Sequence, residues 1–272
     1  MVDRRIRAFY AARAKAEWNR LFHDEYGRLE FDTTMHFIDK HLTGKELRVL
    51  DAGGGPGRYT IELARRGHRV VLLDPVPEVL RFAEQQIRRA RVRGRVEEIR
   101  TGSIEDLSAF RDGTFDFVLC LTPISHVLEP KKRLRAATEL VRVLKPNGVL
   151  VVSAIGRLAA LVMALENGFR VSGKASAREL RDTGDFHAER IFTPFHGFLP
   201  SELRTLFEMA GGVSVTEMVG LEGIASTHSK AVNRLTKDRG ARKLWLETHY
   251  KTCTEPSVIG MAEQILLIAR KI

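Results

Sequence analysis

The sequence predicts an α/β protein built on a parallel, doubly wound sheet. Short apolar runs alternate with amphipathic segments of helical period between residues 47 and 154. A turn rich in glycine directly follows the first apolar run, at the kind of position where such sheets bind ligands. A chain of 272 residues is long enough for one substantial core and additional segments.

The alternation sets the order of the core elements. They are expected as strand 47–51, helix 58–66, strand 69–73, helix 77–91, strands 95–100 and 115–121, helix 131–143 and strand 148–154. Pro77 suits the first turn of its helix because that position needs no N–H donor. Connections between parallel strands are right-handed, so the strands present their carboxyl ends, and any ligand, at one edge of the sheet.

Further elements are expected on both sides of this core. In the first 45 residues, apolar side chains recur at helical spacing in two stretches, Ile6, Phe9, Tyr10, Ala14, Trp18, Leu21 and Phe22, and then Phe31, Met35, Ile38 and Leu42. After residue 155 the pattern predicts a helix over 156–167, a helix over 202–210 capped by Ser201, a strand over 213–219, a helix over 229–250 and a last strand over 264–270. Residues 168–198 show no clear period.

The turn after the first strand combines an acid with four glycines. Asp51 ends the strand, and Ala52-Gly53-Gly54-Gly55-Pro56-Gly57-Arg58 leads into the next helix. Glycine permits backbone torsions that other residues avoid and lets a flat ligand lie against the main chain. The second strand ends on Asp74, where a carboxylate can accept hydrogen bonds from ribose hydroxyls. Together these features indicate a site for a cofactor that contains a nucleoside.

Two phosphate-binding patterns do not fit this chain. The dinucleotide pattern G-x-G-x-x-G requires glycine at position 58, which is Arg58 here. A P-loop requires Gly-Lys followed by Ser or Thr, but Gly44-Lys45 precedes Glu46 and Gly173-Lys174 precedes Ala175.

The pattern hydrophobic-hydrophobic-acid-x-Gly-x-Gly-x-Gly resembles motif I of the class I S-adenosylmethionine (SAM) methyltransferases. Three further segments resemble that family in order and spacing, namely Arg100–Leu107 after the third strand, Thr114–Leu121 as the fourth strand, and Arg142–Val152 around the turn into the fifth. The resemblance covers roughly residues 47–155. It implies a Rossmann-like sheet of seven strands with the last strand antiparallel, SAM as the cofactor, and transfer of its methyl group to O, N or S of a small organic acceptor, which leaves S-adenosylhomocysteine.

The resemblance also implies which residues hold SAM. They are expected around the glycine turn, at the ends of the second and fourth strands and after the third strand: Asp51, Gly53, Gly54, Gly55, Gly57, Arg58, Asp74, Pro75, Ser103, Ile104 and Leu121. Many relatives carry Asp at the position of Ser103, so a serine should hold the adenine amino group less tightly. Asn147 replaces a glycine of the family turn, which asparagine tolerates because it visits left-handed torsions.

The segments outside the core are expected to build the acceptor pocket. Residues 1–45 are interpreted as a helical lid in which Tyr10, Trp18 and Phe22 could close over the cofactor. Residues 156–200 are interpreted as a cap inserted in the SAM-binding domain, which covers 46–272. Packing of a helix on the core is the commoner alternative for the three aromatic residues.

His126 is the best candidate for a catalytic base or an acceptor-orienting group, because it follows the fourth strand, where the methyl group would emerge. A loop histidine bonded to backbone is the alternative. His187 and His196 flank the Phe-rich insert and could line the pocket or serve a structural role. Methyl transfer from a sulfonium depends largely on holding acceptor and methyl group in line, so no conspicuous catalytic group is required.

Composition leaves other functions open. A net charge of +10 and basic runs at 88–95, 131–135 and 237–243 would suit an RNA methyltransferase of the same fold, although such runs also suit solvated helix faces. A non-catalytic SAM-binding protein is the third possibility. The sequence shows no metal-ligand pattern, signal peptide or membrane-spanning run, and Cys120 and Cys253 lack CxxC spacing, so a reducing cytoplasm is expected. Nothing in it indicates the oligomeric state.

Overall fold

The computed structural model describes residues 3–170, 172–187 and 193–272. Its helices are α1 Arg4–Arg20, α2 Glu25–His41, α3 Arg58–Arg65, α4 Pro77–Arg89, α5 Pro130–Arg142, α6 Arg157–Glu166, α7 Lys174–Thr183, α8 Pro200–Ala210, α9 Ser229–Arg234, α10 Arg239–Thr252 and α11 Pro256–Ile259. Its strands are β1 Arg48–Ala52, β2 Arg69–Asp74, β3 Val96–Thr101, β4 Phe115–Leu121, β5 Leu144–Ile155, β6 Asp185–Phe186, β7 Phe195–His196, β8 Val213–Gly220 and β9 Gln264–Lys271. Residues 1–2 of the predicted lid, and 171 and 188–192 of the predicted cap, lie outside the described residues.

Seven strands form one sheet in the order β3-β2-β1-β4-β5-β9-β8. The five strands from β3 to β5 pair in parallel, and β9 is antiparallel to both of its neighbours, β5 and β8. The sequence-based prediction of a doubly wound, Rossmann-like sheet with an antiparallel last strand is therefore confirmed. Reversal of strand order between β1 and β4 opens a crevice at the carboxyl ends of these strands, which is where ligands bind in such sheets.

Both faces of the sheet are buried, which explains the continuous apolar runs of its parallel strands. Alternate residues of β1 belong to different cores: Leu50 packs on one face and Val49 on the other. Helices α5 and α8 contribute Leu140 and Phe207 to the first core, and α2 contributes Phe37 to the second. Cys120 is fully buried in β4, as expected for a core residue.

The second half of the chain differs from prediction in three places. Helix α8 begins at Pro200 with Leu199 in the cap position, so Ser201 is not its cap. The helix expected over 229–250 is divided, because the Asp238 side chain accepts from the backbone N–H groups of two residues at the start of α10 and caps a new helix there. Residues 168–198, where no period was visible, include α7 and the short antiparallel pair β6–β7.

The two N-terminal helices begin at aspartate caps, which explains where they start. Asp3 accepts from the Arg5 N–H, and Asp24 accepts from the Gly27 N–H. Helix α2 packs closely on the core, whereas α1 buries only Ile6 fully. None of the helices in the described ranges combines the length and the apolar content that crossing a bilayer requires.

Candidate active site

A cleft of about 270 Å³ lies at the carboxyl ends of the central strands, and α1 forms one of its walls. The glycine-rich turn after β1 lines one part of it, here called the cofactor end. A second part, here called the acceptor end, is lined by residues from α1, from the turn after β4, and from the ends of β5 and β9. One cleft thus joins the predicted cofactor site to the region expected to receive an acceptor.

Glycine is required at different positions of the turn for different structural reasons. Gly53, Gly55 and Gly57 have φ values of 76°, 54° and 80°, in the left-handed region that favours glycine. A Cβ on Gly53 would lie 2.2 Å from the Pro123 ring, whereas a Cβ on Gly55 would meet no protein atom within 4 Å. Gly57 caps α3 and faces its neighbours in the core rather than the cleft. Gly55 is therefore the position where a side chain would enter the cleft.

Two buried carboxyl groups stand beside this turn. Asp51 accepts a hydrogen bond of 2.6 Å from the Thr60 hydroxyl, and burial raises its pKa to about 6. Asp74 accepts from the N–H groups of Gly55, at 3.0 Å, and of Val76, at 2.9 Å. Burial raises the pKa of Asp74 to about 7, although both N–H donors favour the ionised form. Since a carboxylate can accept about four hydrogen bonds, Asp74 keeps acceptor capacity for a ligand.

The wall beyond Asp74 is mostly apolar. Pro75, Ile104 and Leu121 line the cleft, and so do Gly54 and Ser103. The Ser103 hydroxyl accepts from the Glu105 N–H at 3.2 Å.

Val76 and Val79 also line this wall but were missing from the residues expected from the sequence. They could have been predicted from the sequence, because they follow Asp74 closely in the segment that leads into the first turn of α4.

Arg58 lines the cleft but directs its donors away from it, toward α1. Its Nε and Nη2 both donate to the Trp18 carbonyl, at 2.8 and 2.6 Å. Its guanidinium carbon lies 3.5 Å from the centre of the Trp18 ring and 4.4 Å from that of Phe22. Trp18 and Phe22 thus enclose Arg58 and do not line the cleft, while Tyr10 does.

Tyr10 and His126 are hydrogen-bonded to each other at the acceptor end of the cleft. His126 Nδ1 lies 3.1 Å from the Pro194 carbonyl and 3.2 Å from the Thr193 hydroxyl; because the carbonyl can only accept, a proton on Nδ1 satisfies both contacts. The other ring nitrogen, Nε2, then accepts from the Tyr10 hydroxyl at 2.8 Å. Burial lowers the pKa of His126 to about 4 and raises that of Tyr10. Both groups are consequently neutral near pH 7.

The remaining walls of this end come from separate parts of the chain. Ile155 and Gln264 are direct partners in the β5–β9 pairing, and both line the cleft. Thr122, next to them, has a φ of 83°, which is rare for a β-branched residue. These three were not foreseen from the sequence, because nothing local marks Ile155 or Gln264 as neighbours.

The other histidine candidates lie elsewhere. His187 pairs with Glu179 at 3.0 Å, and His196 with Asp185 at 2.7 Å. Neither lines the cleft, and both are paired as their structural alternative predicts. The described residues contain no group of three or more His, Cys, Asp or Glu side chains arranged to hold a metal ion.

Several known proteins to which this chain is similar are methyltransferases. Residues 50–152 match the family model described as a methyltransferase domain. The ubiquinone biosynthesis O-methyltransferase of Xanthomonas axonopodis pv. citri is 33% identical over 126 residues, which are 46% of this chain and 50% of that protein. The chain thus spans about half the length of the curated relatives it matches.

Solved structures resemble the chain over most of its length. A SAM-dependent methyltransferase from Methanosarcina mazei is 20% identical with a TM-score of 0.60, covering 87% of this chain and 97% of that one. Geranyl diphosphate C-methyltransferase from Streptomyces coelicolor A3(2), solved with Mg²⁺, geranyl diphosphate and S-adenosylhomocysteine, is 17% identical with a TM-score of 0.56, covering 89% and 79%. At these identities the likeness concerns the fold.

The sheet order, the glycine turn with its two acids, and the matched domain agree on one assignment. Residues 50–152 are a methyltransferase domain, and the fold built around it is that of the class I SAM-dependent methyltransferases.

Proposed function

We propose that the protein transfers the methyl group of SAM to O, N or S of a small organic acceptor. The observation that carries this proposal is the single cleft with two chemically different ends. One end has the glycine turn and Asp74, and the other has the neutral Tyr10–His126 pair. The relatives' name, ubiquinone biosynthesis O-methyltransferase, supports a small molecule and an oxygen acceptor among the three options.

The cofactor end suits a nucleoside attached to an amino acid. Asp74 would accept hydrogen bonds from ribose hydroxyls, and the open face of Gly55 would receive the main body of the ligand. Ser103 and Ile104 would border the adenine ring together with the side chains after Asp74. Bound there, SAM supplies a methyl group that is already activated by the sulfonium.

The acceptor end offers a path for one proton. If the accepting atom is a hydroxyl oxygen, its proton can pass to the Tyr10 oxygen while the Tyr10 proton passes to His126 Nε2, which is held as an acceptor by the Pro194 carbonyl. His126 is a weak base because its pKa is low, so the pair could also act only by orienting the acceptor. The surrounding apolar residues would exclude water.

The contacts around the cleft also support roles for the segments outside the core. We propose residues 1–45 as a lid, because α1 forms a wall of the cleft, and the insert 156–200 as a cap, because Pro194 holds His126. The lid would contribute a wall to the acceptor site, and the cap would hold His126 in place, on the SAM-binding domain of residues 46–272. We also propose a reducing compartment such as the cytoplasm, which the two buried, unpaired cysteines support.

An RNA methyltransferase is the alternative with the same fold. The basic runs support it weakly, because Arg88, Arg95 and Arg242 are paired with acidic side chains. The cleft itself is lined by five acidic and two basic residues, a poor balance for a polyanion: Glu17, Glu30, Asp51, Asp74 and Glu105 against Arg20 and Arg58. A non-catalytic SAM-binding protein would lack turnover altogether.

Two measurements test the proposal. Calorimetry should show binding of SAM and of S-adenosylhomocysteine but not of NAD. A panel of phenols, amines and thiols, screened for release of S-adenosylhomocysteine, should then yield turnover with at least one class. SAM binding without turnover on any compound would favour the non-catalytic alternative, and RNA binding that weakens steeply with salt would favour the RNA enzyme.

A further inference from the structure

The contact between Arg58 and α1 joins the glycine turn to the wall of the cleft. Arg58 is the first residue of α3, immediately after Gly57, so its backbone is part of the turn. Its side chain reaches the carbonyl of Trp18, in the last turn of α1, through two donors. A movement of the turn and a movement of α1 are therefore mechanically linked at this point.

The end of α1 leaves this carbonyl open for Arg58. The Phe22 N–H, which would bond to Trp18 in a continued α-helix, donates instead to Asn19. Carbonyls in the last turn of a helix need outside donors and carry the negative end of the helix dipole. A guanidinium supplies both a positive charge and two parallel N–H groups, and its plane stacks on the Trp18 ring. Lysine offers neither the fork nor the stacking plane.

Other contacts of α1 are arranged along the same wall. Tyr10 bonds to His126, and Arg20 pairs with Glu30 of α2 at 2.5 Å. Of these, only the Arg58 contact ties α1 to the glycine turn. Within α1 only Ile6 is fully buried, and Trp18 packs on Phe82 of α4, so the polar contacts add to a limited apolar packing in holding α1 over the cleft.

We propose that Arg58 is a positioning residue that clamps α1 over the cleft, so that release of the cofactor requires this clamp to open. The inference rests on the proposed function, because it concerns the exit of the same cofactor. In this role Arg58 does not recognise the charge of SAM, although the family resemblance implied that it binds the cofactor. It controls how long SAM or its product stays bound in the cleft, and it keeps Tyr10 in position to bond to His126.

Fluorescence of Trp18 tests the clamp directly. The chain contains two tryptophans, so a Trp245→Phe background leaves Trp18 as the single reporter. Without ligand, Arg58→Lys should make Trp18 more accessible to acrylamide, and Arg58→Met should do so at least as strongly. Arg66→Lys is the matched control, because Arg66 follows α3, pairs with Glu62 and does not line the cleft. The control should leave quenching unchanged, and unchanged quenching in both Arg58 variants would overturn the clamp.

Release of S-adenosylhomocysteine tests the consequence. In surface plasmon resonance, Arg58→Lys should raise the dissociation rate constant about tenfold, as expected for losing one charge-assisted hydrogen bond, with a smaller change in the association rate constant. An unchanged dissociation rate in a variant with increased quenching would refute the link to cofactor exit. Failure of the wild-type protein to bind S-adenosylhomocysteine would overturn the proposed function, while the quenching experiment would still decide whether Arg58 clamps α1.

Discussion

The two ends of the cleft are assembled in different ways. At the cofactor end, the stretch from Asp51 to Val76 supplies both acids and the glycine turn, and these groups bond to one another. At the acceptor end, Tyr10 and His126 are 116 residues apart in sequence, and Gln264 comes from the antiparallel strand. The first end is therefore specified locally, whereas the second depends on how distant segments pack.

This difference separates the expected effects of substitution. Changes at the cofactor end should weaken binding of SAM with little effect on the rate of the bound complex. Changes at the acceptor end should lower turnover and leave SAM affinity nearly unchanged. A variant that changes both SAM affinity and turnover would show that the two ends are coupled more strongly than their separate construction suggests.

The largest effect is expected for Gly55→Val, which should abolish SAM binding in a folded protein. The side chain would occupy the cleft, and the φ of 54° adds strain of about 1–2 kcal/mol. Gly67→Val is the matched control, because Gly67 also has a positive φ, 91°, and open space, but lies outside the cleft. Calorimetry and urea unfolding should show similar destabilisation in both variants and loss of binding only at position 55. Native affinity in Gly55→Val would mean that the cofactor lies elsewhere.

The next effect is on turnover, through His126→Ala. If His126 accepts the proton by way of Tyr10, the variant should lose about 10²–10⁴-fold in kcat with little change in SAM affinity. If the pair only orients the acceptor, the loss should be smaller and partly in KM for the acceptor. Tyr10→Phe, which keeps the ring and removes the hydroxyl, should reproduce the same pattern. Wild-type kinetics in both variants would leave catalysis to proximity alone.

A more moderate effect is expected at Asp74. Asp74→Ala should weaken SAM binding by about 1–3 kcal/mol, the range for lost hydrogen bonds to a charged group. Burial raises the pKa of Asp74 to about 7, so the carboxylate is protonated as pH falls below 7, and SAM affinity should decline from pH 8 to pH 6. Asp74→Asn should flatten this dependence. A persistent decline in that variant would assign the titration to Asp51, whose pKa is about 6.

The smallest effects on activity are expected for the two histidines outside the cleft. His196→Ala should cost about 1–3 kcal/mol of unfolding free energy, because a partly buried hydrogen bond to Asp185 is lost. His187→Ala should change stability less, since its partner Glu179 is exposed to solvent. Both variants should keep wild-type kcat and acceptor KM. A change in acceptor KM for either one would extend the acceptor site beyond the cleft described above.

The same contrast explains what could be read from the sequence. The sheet, the glycine turn and Asp74 were predictable because their signals are periodicity, glycine spacing and position at a strand end, all of which are local. The break before α10 also has a local signal, Asp238 followed by Gly240, although the helical period around it concealed the cap.

The acceptor end was only partly predictable, for a physical reason. His126 could be proposed from its place after β4, but the Pro194 carbonyl that sets its tautomer belongs to a segment without a period. Ile155 and Gln264 become neighbours only through the pairing of β5 with β9. Arg58 lines the cleft, but its bond to Trp18 could not be predicted, because it requires the end of α1 to lie beside it, which no spacing encodes.

The position of β9 between β5 and β8 has a consequence for the order in which the protein can be completed during synthesis. Strand β5 cannot pair with β9 until residues 156–263 and β9 itself have been synthesised. Strand β8 is also synthesised before β9. Until then both strands have unpaired edges, which favour association with other chains. The sheet closes only when β9 inserts, and the same event delivers Gln264 to the cleft. A nascent chain can therefore shape its cofactor end before its acceptor end is complete.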